Sequence, residues 1–494
     1  MLFNSGEFLI FFPLVVLAYY LLPGKLKNSW LLIASYYFYM SWNAEYALLL
    51  LTSTLVTYAG ALLLERIRQK DEDPGHAGHL SRAVLAAVLI ANLAILFYFK
   101  YFNFALEIAE NTAHLFGIEL NIQPFDILLP VGISFYIFQA LGYLIDVYRG
   151  DTRAERNLLK YALFVSFFPQ LVAGPIERSG NLLRQLDTPK KFDIPGVRDG
   201  LLIMLWGYFL KLVIADRCAV LVNTVYDAYE DYRGFQLVLA NVFFAIQIYC
   251  DFMGYSTIAK GAAKVLGIRL MDNFEQPYFA ESVREFWRRW HISLSTWFRD
   301  YVYIPLGGSR CSRLKKYRNV FVTFAVSGLW HGASINFVLW GVIHGLYQIA
   351  EDLLSPVRAK LSARFQVDDT SFSWLFFRIL KTFVLVDIAW IFFRARSLHS
   401  ALYILRSSFD LSNIGMLLND GIYELGLNTR NMNLLVIALA ALVTAGCMRK
   451  RGMDVRKWLS GQNLAFRYMI YWGAVIMIIL SLDLSGMEFI YFQF

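Results

Sequence analysis

Cysteine is scarce in this chain: only 4 occur in 494 residues, Cys218, Cys250, Cys311 and Cys447, and no two form a CxxC pair. That spacing argues against both a disulfide framework and a zinc site, and buried free thiols are the expectation. No metal site is expected. Charge is also thin, at 17% of residues, and no basic low-complexity stretch appears. The net charge of +8 therefore points to cytoplasmic loops of a membrane protein, with no nucleic-acid partner. The first residues, "MLFNSGEFLIFFPLVVLAYYLLPGK", lack a basic leader and a small-residue cleavage site, so they are expected to stay as a membrane helix.

What the chain has in quantity is apolar surface. Hydrophobic residues make up 57% and aromatics 17%, with a mean hydropathy of +0.47, well above a soluble domain, so a lipid bilayer is its expected solvent. Apolar runs at Ala83–Phe102, Phe235–Met253, Leu375–Phe393 and Tyr468–Leu482 approach the length of a bilayer-crossing helix. The expectation is an all-α polytopic membrane protein, one domain over 1–494, with about 9–11 membrane helices plus re-entrant segments. Lysine and arginine in the loops set its direction, and place "RCSRLKKYRN" and "RKRGMDVRK" in the cytoplasm. Residues 103–126, acidic and without lysine or arginine, read as an outside loop. "YALFVSFFPQLVAGPIERSG", interrupted by Pro169, Gly174 and Pro175, reads as a re-entrant segment buried in protein.

Two stretches stand out against this background. Wound as a continuous amphipathic helix, residues 284–304 gather Phe286, Trp290, Leu294, Trp297 and Tyr301 on one face. Arg284, Arg288, His291, Ser295 and Arg299 gather on the other. Lying on the membrane surface would account for the tryptophans and arginines and leave His291 without a task. Facing a cytoplasmic funnel, the three guanidinium groups would instead hold the phosphates of an anionic ligand, with His291 at the narrow end. Pro305, Gly307 and Gly308 then stop the helix.

The second stretch, residues 319–350, must leave the cytoplasm and return, which sets "SGLWHGAS" at membrane depth in a hairpin. An ionisable side chain there is costly to insert, so His331 is a functional candidate, against the alternative of a structural histidine bonded to a carbonyl. A neutral imidazole has a ring nitrogen to accept a proton, the state a general base requires. His344 reads as a packing or hydrogen-bonding residue. Asp146 and Asp251, near membrane boundaries, can orient a catalytic group or pair with a cation.

Taken together, "PVGISFYIFQ", "YLIDVYRG", "FFPQLVAGPIER", "QIYCDFMGYS", "NFEQPY", "EFWRRWHISLSTWFRDYVYIPLGG", "GLWHG" and "FIYFQF" resemble the membrane-bound O-acyltransferases over nearly the whole chain. The closest likeness is to the bacterial branch typified by alginate O-acetyltransferase. The resemblance implies a helix bundle around a tunnel, with His331 and His291 as the two active-site histidines. It implies transfer from cytoplasmic acetyl-coenzyme A, a substrate rather than a bound cofactor, to an exported polysaccharide. The chain shows no large soluble extracytoplasmic domain, so an extracytoplasmic partner protein that accepts or relays the acetyl group is expected, as is a bacterial inner-membrane location. D-alanyl transfer to teichoic acid and, from another class, a transporter or export channel are the competing readings.

Overall fold

Apolar runs in a bilayer must satisfy their own backbone hydrogen bonds, and winding into helices does this within each segment. A computed structural model describes the chain except residues 71–73, 120–122, 173, 411, 414, 417–420, 422, 424, 483–488 and 491–494. Among the described residues the regular elements are all helical and no strand occurs. The chain is an all-α polytopic membrane protein. Among the described residues four stretches, Tyr46–Gln69, Gly78–Leu115, Phe235–Val265 and Thr429–Lys450, are long and apolar enough to cross a bilayer.

Two compact units form. The first comprises residues 1–203 and 259–272, the second residues 204–258 and 273–494. In the first, the Gly6–Leu21 helix is capped by Ser5, whose hydroxyl accepts the Phe8 N–H. The 161–180 stretch begins inside the Leu158–Ser166 helix and continues into Phe168–Leu171, and Tyr161–Ser166 and Phe168–Leu171 are buried. The outside loop expected over 103–126 is a correction: Phe97–Tyr101 forms a π-helical turn, and Phe102–Leu115 continues as helix. Glu107 and Glu110 lie on that helix, where loop-charge counting cannot distinguish them from residues of a turn.

The second unit carries both stretches singled out above. The continuous helix expected over 284–304 is broken into Val283–Arg289, Ile292–Phe298 and a π-helical turn at Arg299–Tyr303. At the first break Trp290 is extended and His291 takes φ +42°, the left-handed region that non-glycine residues seldom occupy. Residues 319–350 lie in a helical hairpin, Arg313–His331 followed by Ile335–Arg364, with Ser334 capping the second limb through the Asn336 N–H. Glycine permits the close approach of the limbs: a Cβ on Gly328 would lie 2.2 Å from the Phe337 carbonyl oxygen, and one on Gly341 2.2 Å from that of Phe324.

The thiols are only partly as expected. Cys218 and Cys250 are buried, but Cys311 is half-buried and Cys447 is exposed near the end of the Thr429–Lys450 helix.

Candidate active site

His331 is the last residue of its helical limb, and Gly332 after it is extended. A Cβ at Gly332 would lie 2.1 Å from the Phe337 ring, so glycine is what lets this ring close over the turn after His331. The imidazole stands edge-on to Trp340 at 4.9 Å and to Phe393 at 5.4 Å between ring centroids. Trp340 is itself stacked on Trp390 at 5.6 Å. Edge-to-face packing of this kind fixes both position and orientation of a ring.

His291 reaches the same place by a different route. Its left-handed backbone turns the side chain off the arginine face and into the protein, and it is 0% exposed, with His331 at 3%. The preceding "NFEQPY" segment holds that strained turn. The Asn273 carbonyl accepts the Ile292 N–H at 2.9 Å, and its side-chain Oδ1 accepts the Ser293 hydroxyl at 2.6 Å. Asn273 Nδ2 in turn donates to Ser256 Oγ at 3.0 Å. Strain concentrated at one residue and held by neighbouring hydrogen bonds is a mark of functional positions. The His291 ring lies 4.6 Å from Phe252, 5.9 Å from Trp330 and 6.5 Å from His331 between centroids. Two buried imidazoles at this spacing can address different atoms of one reacting group.

The three arginines do not share His291's environment, which corrects the face drawn from a continuous helix. Arg284, Arg288 and Arg299 are exposed. Arg284 pairs with Asp352 at 3.2 Å, and Arg299 with the adjacent Asp300 at 2.7 Å. Asp352 also takes the Lys316 ammonium at 2.8 Å and the Tyr317 hydroxyl at 3.0 Å. The Lys316 hydrogen bond leads the contacts that hold the Asp352 carboxyl down at about 2. Its ion pairs thus form above the ordinary carboxylate range and are lost only as pH falls through that value.

Asp251 pairs with a cation that sequence reading passed over. Lys211, in the π-helical turn Phe209–Ala215, bridges Asp251 Oδ1 at 2.8 Å and Asp216 Oδ1 at 2.7 Å, with all three side chains at most 3% exposed. A lysine inside the apolar "YFLKLVIADR" was the available signal. Asp146 lies in the first unit, where Ser179 donates to it at 3.4 Å. His344 is fully buried, packed 5.0 Å from Trp287 and 5.1 Å from Trp340 between ring centroids. Among the described residues no cluster of three or more His, Cys, Asp and Glu has a metal-binding arrangement.

These observations meet in a known class: the chain belongs to the membrane-bound O-acyltransferase family. A sequence model of that family matches residues 153–386, which include both histidines. The chain is thus a multi-pass membrane O-acyltransferase. It is 38% identical to the probable alginate O-acetylase AlgI of Pseudomonas aeruginosa over 451 residues, 90% of this chain and 82% of the relative. It is 38% identical to the probable alginate O-acetylase AlgI of Pseudomonas syringae over 405 residues, 81% of this chain and 74% of the relative. Against the peptidoglycan O-acetyltransferase of Helicobacter pylori the identity is 34% over 451 residues, 84% and 81% of the two chains.

Proposed function

We propose that this protein moves acetyl groups from cytoplasmic acetyl-coenzyme A to hydroxyls of an exported polysaccharide, from the bacterial inner membrane and through an extracytoplasmic partner protein. The observation that carries the reading is the pairing of buried His291 and His331 at 6.5 Å between ring centroids, inside the region matched by the family. The relatives named for alginate and peptidoglycan acetylation support a glycan acceptor.

A thioester is already activated, so the site has three tasks: to take the hydroxyl proton, to stabilise the developing oxyanion and to keep water out. His331 accepts the proton as the hydroxyl oxygen bonds to the acetyl carbon. The carbon–sulfur bond then breaks and the coenzyme A thiolate takes up the proton that His331 holds, which returns the imidazole to its neutral state. His291 orients the reacting group or donates a hydrogen bond to its oxygen. Arg284, Arg288 and Arg299 hold the phosphates of the donor from the exposed face.

The test is thiol release from acetyl-coenzyme A by the protein in lipid discs, with and without candidate partners. Release by the native chain, lost about a hundredfold or more in His331→Ala and His291→Ala, is the expected result. Native protein that releases no thiol with any partner, or a His331→Ala variant that releases it at the native rate, overturns the proposal.

A further inference from the structure

The buried Lys211 cluster and the residues Phe489–Ile490 are far apart in sequence, and the reaction chemistry above uses neither. They meet at Asp251. One Asp251 oxygen, Oδ1, takes Lys211 at 2.8 Å, and the other, Oδ2, accepts the Ile490 N–H at 2.7 Å. The surroundings leave these groups little room. A Cβ at Gly254 would sit 3.1 Å from the Lys211 backbone nitrogen and 3.0 Å from the Gly207 carbonyl oxygen, so the helix carrying Asp251 lies tightly against the Lys211 turn. Arg217, fully buried beside them, donates to Ser481 Oγ at 2.7 Å. Two cations and two carboxylates thus balance in a water-poor site, where charges persist only when paired and hydrogen-bonded.

From this anchor a line of rings leads to the active site. Phe489, 0% exposed, lies 4.2 Å from Tyr255 and 6.1 Å from Phe252 between centroids. Phe252 stands edge-on to His291 at 4.6 Å, and also lies 5.1 Å from Phe274, which follows the Asn273 clamp. The Asn273 hydrogen bonds hold the backbone beside His291, and the Phe252 ring bounds its imidazole. The turn fixes where the His291 side chain leaves the backbone, and the Phe252 ring bounds where its imidazole comes to rest.

We propose that the Phe489–Ile490 segment, anchored on Asp251 and Lys211, is a positioning element for His291, holding Phe252 against its imidazole. The proposal rests on the reading of His291 as an active-site group. Phe489 and Ile490 touch no reacting atom in this scheme; they act through Phe252. A shift of about 1 Å in a catalytic group can cost on the order of a hundredfold in rate.

The experiment uses the full chain in lipid discs and follows thiol release from acetyl-coenzyme A, together with thermal unfolding. Phe489→Ala opens a gap behind Phe252, Phe489→Leu refills most of it, and Ile490→Pro removes the N–H donated to Asp251. The expected result is a kcat about ten- to a hundredfold lower for Phe489→Ala and Ile490→Pro with KM for the donor unchanged. Phe489→Leu should restore most of the loss. Phe489→Ala added to His291→Ala should cost nothing further, because its effect passes through the missing ring. A drop in Phe489→Ala that is additive with His291→Ala, or that merely tracks lost folded protein while Phe489→Leu is equally impaired, overturns the proposal. So does native kcat in both Phe489→Ala and Ile490→Pro. If His291→Ala itself releases thiol at the native rate, the active-site reading of His291 has failed instead.

Discussion

At the scale of single residues, the arginines separate once their partners are known. Arg284 and Arg299 are each tied to a carboxylate, whereas Arg288 is exposed and has no carboxylate partner among the described residues. A guanidinium already paired has part of its charge neutralised and its fork occupied, which leaves less for a phosphate. Arg288→Ala is therefore expected to raise KM for acetyl-coenzyme A about three- to tenfold with kcat held, a larger rise than Arg284→Ala or Arg299→Ala produces. Steady-state kinetics at low and moderate salt checks this, since screening should shrink the difference. The burial of His331 was legible at this scale because an ionisable group in an apolar run is expensive to keep, whereas that of His291 was not, since it sits in an arginine-rich run. Asn273 was not, because an asparagine in a polar loop looks ordinary until its partners, Ile292, Ser293 and Ser256, are known.

At the scale of elements, the hairpin depends on the absence of side chains where its limbs meet. A Cβ at Gly332 would collide with the Phe337 ring at 2.1 Å, and one at Gly328 with backbone at 2.2 Å. Rings can shift and backbone cannot easily do so. Gly332→Ala should therefore fold, lose about 1–3 kcal/mol of stability and lower kcat by displacing His331. Gly328→Ala should be the more destabilising of the two, and thermal unfolding of both variants checks the order. Two limbs joined by a short turn fit the out-and-back path that loop charge suggests for residues 319–350. The broken helix at 290–291 was not readable. A period of 3.6 residues describes a helix that continues, and one left-handed residue, held by the Asn273 clamp, ends that continuity.

At the scale of the whole molecule, direction in the membrane follows from where the basic loops lie. Cys447 is exposed just before Arg449, Lys450 and Arg451, while Cys218 and Cys250 are buried. In intact cells Cys447 is expected to react with a membrane-permeant maleimide and to be spared by an impermeant one, with Cys218 and Cys250 reacting only after denaturation. Mass spectrometry of the labelled protein reads both outcomes. Labelling of Cys447 by the impermeant reagent would reverse the assigned direction of the Thr429–Lys450 helix.

By itself the sequence determined the solvent, the helical class and the family, and singled out two histidines that lie buried near each other in the fold. All of these rest on local quantities: hydropathy over a helix length, loop charge, and short runs of residues in order. Tertiary structure alone decided that His291 leaves the arginine face and comes within 6.5 Å of His331 between ring centroids. It also decided that Lys211 meets Asp251 and that Asp251 holds the backbone of Ile490. The physical reason is range. Burial and pairing in a dry interior join groups far apart along the chain, and no periodic pattern records which distant carboxylate a buried lysine will meet.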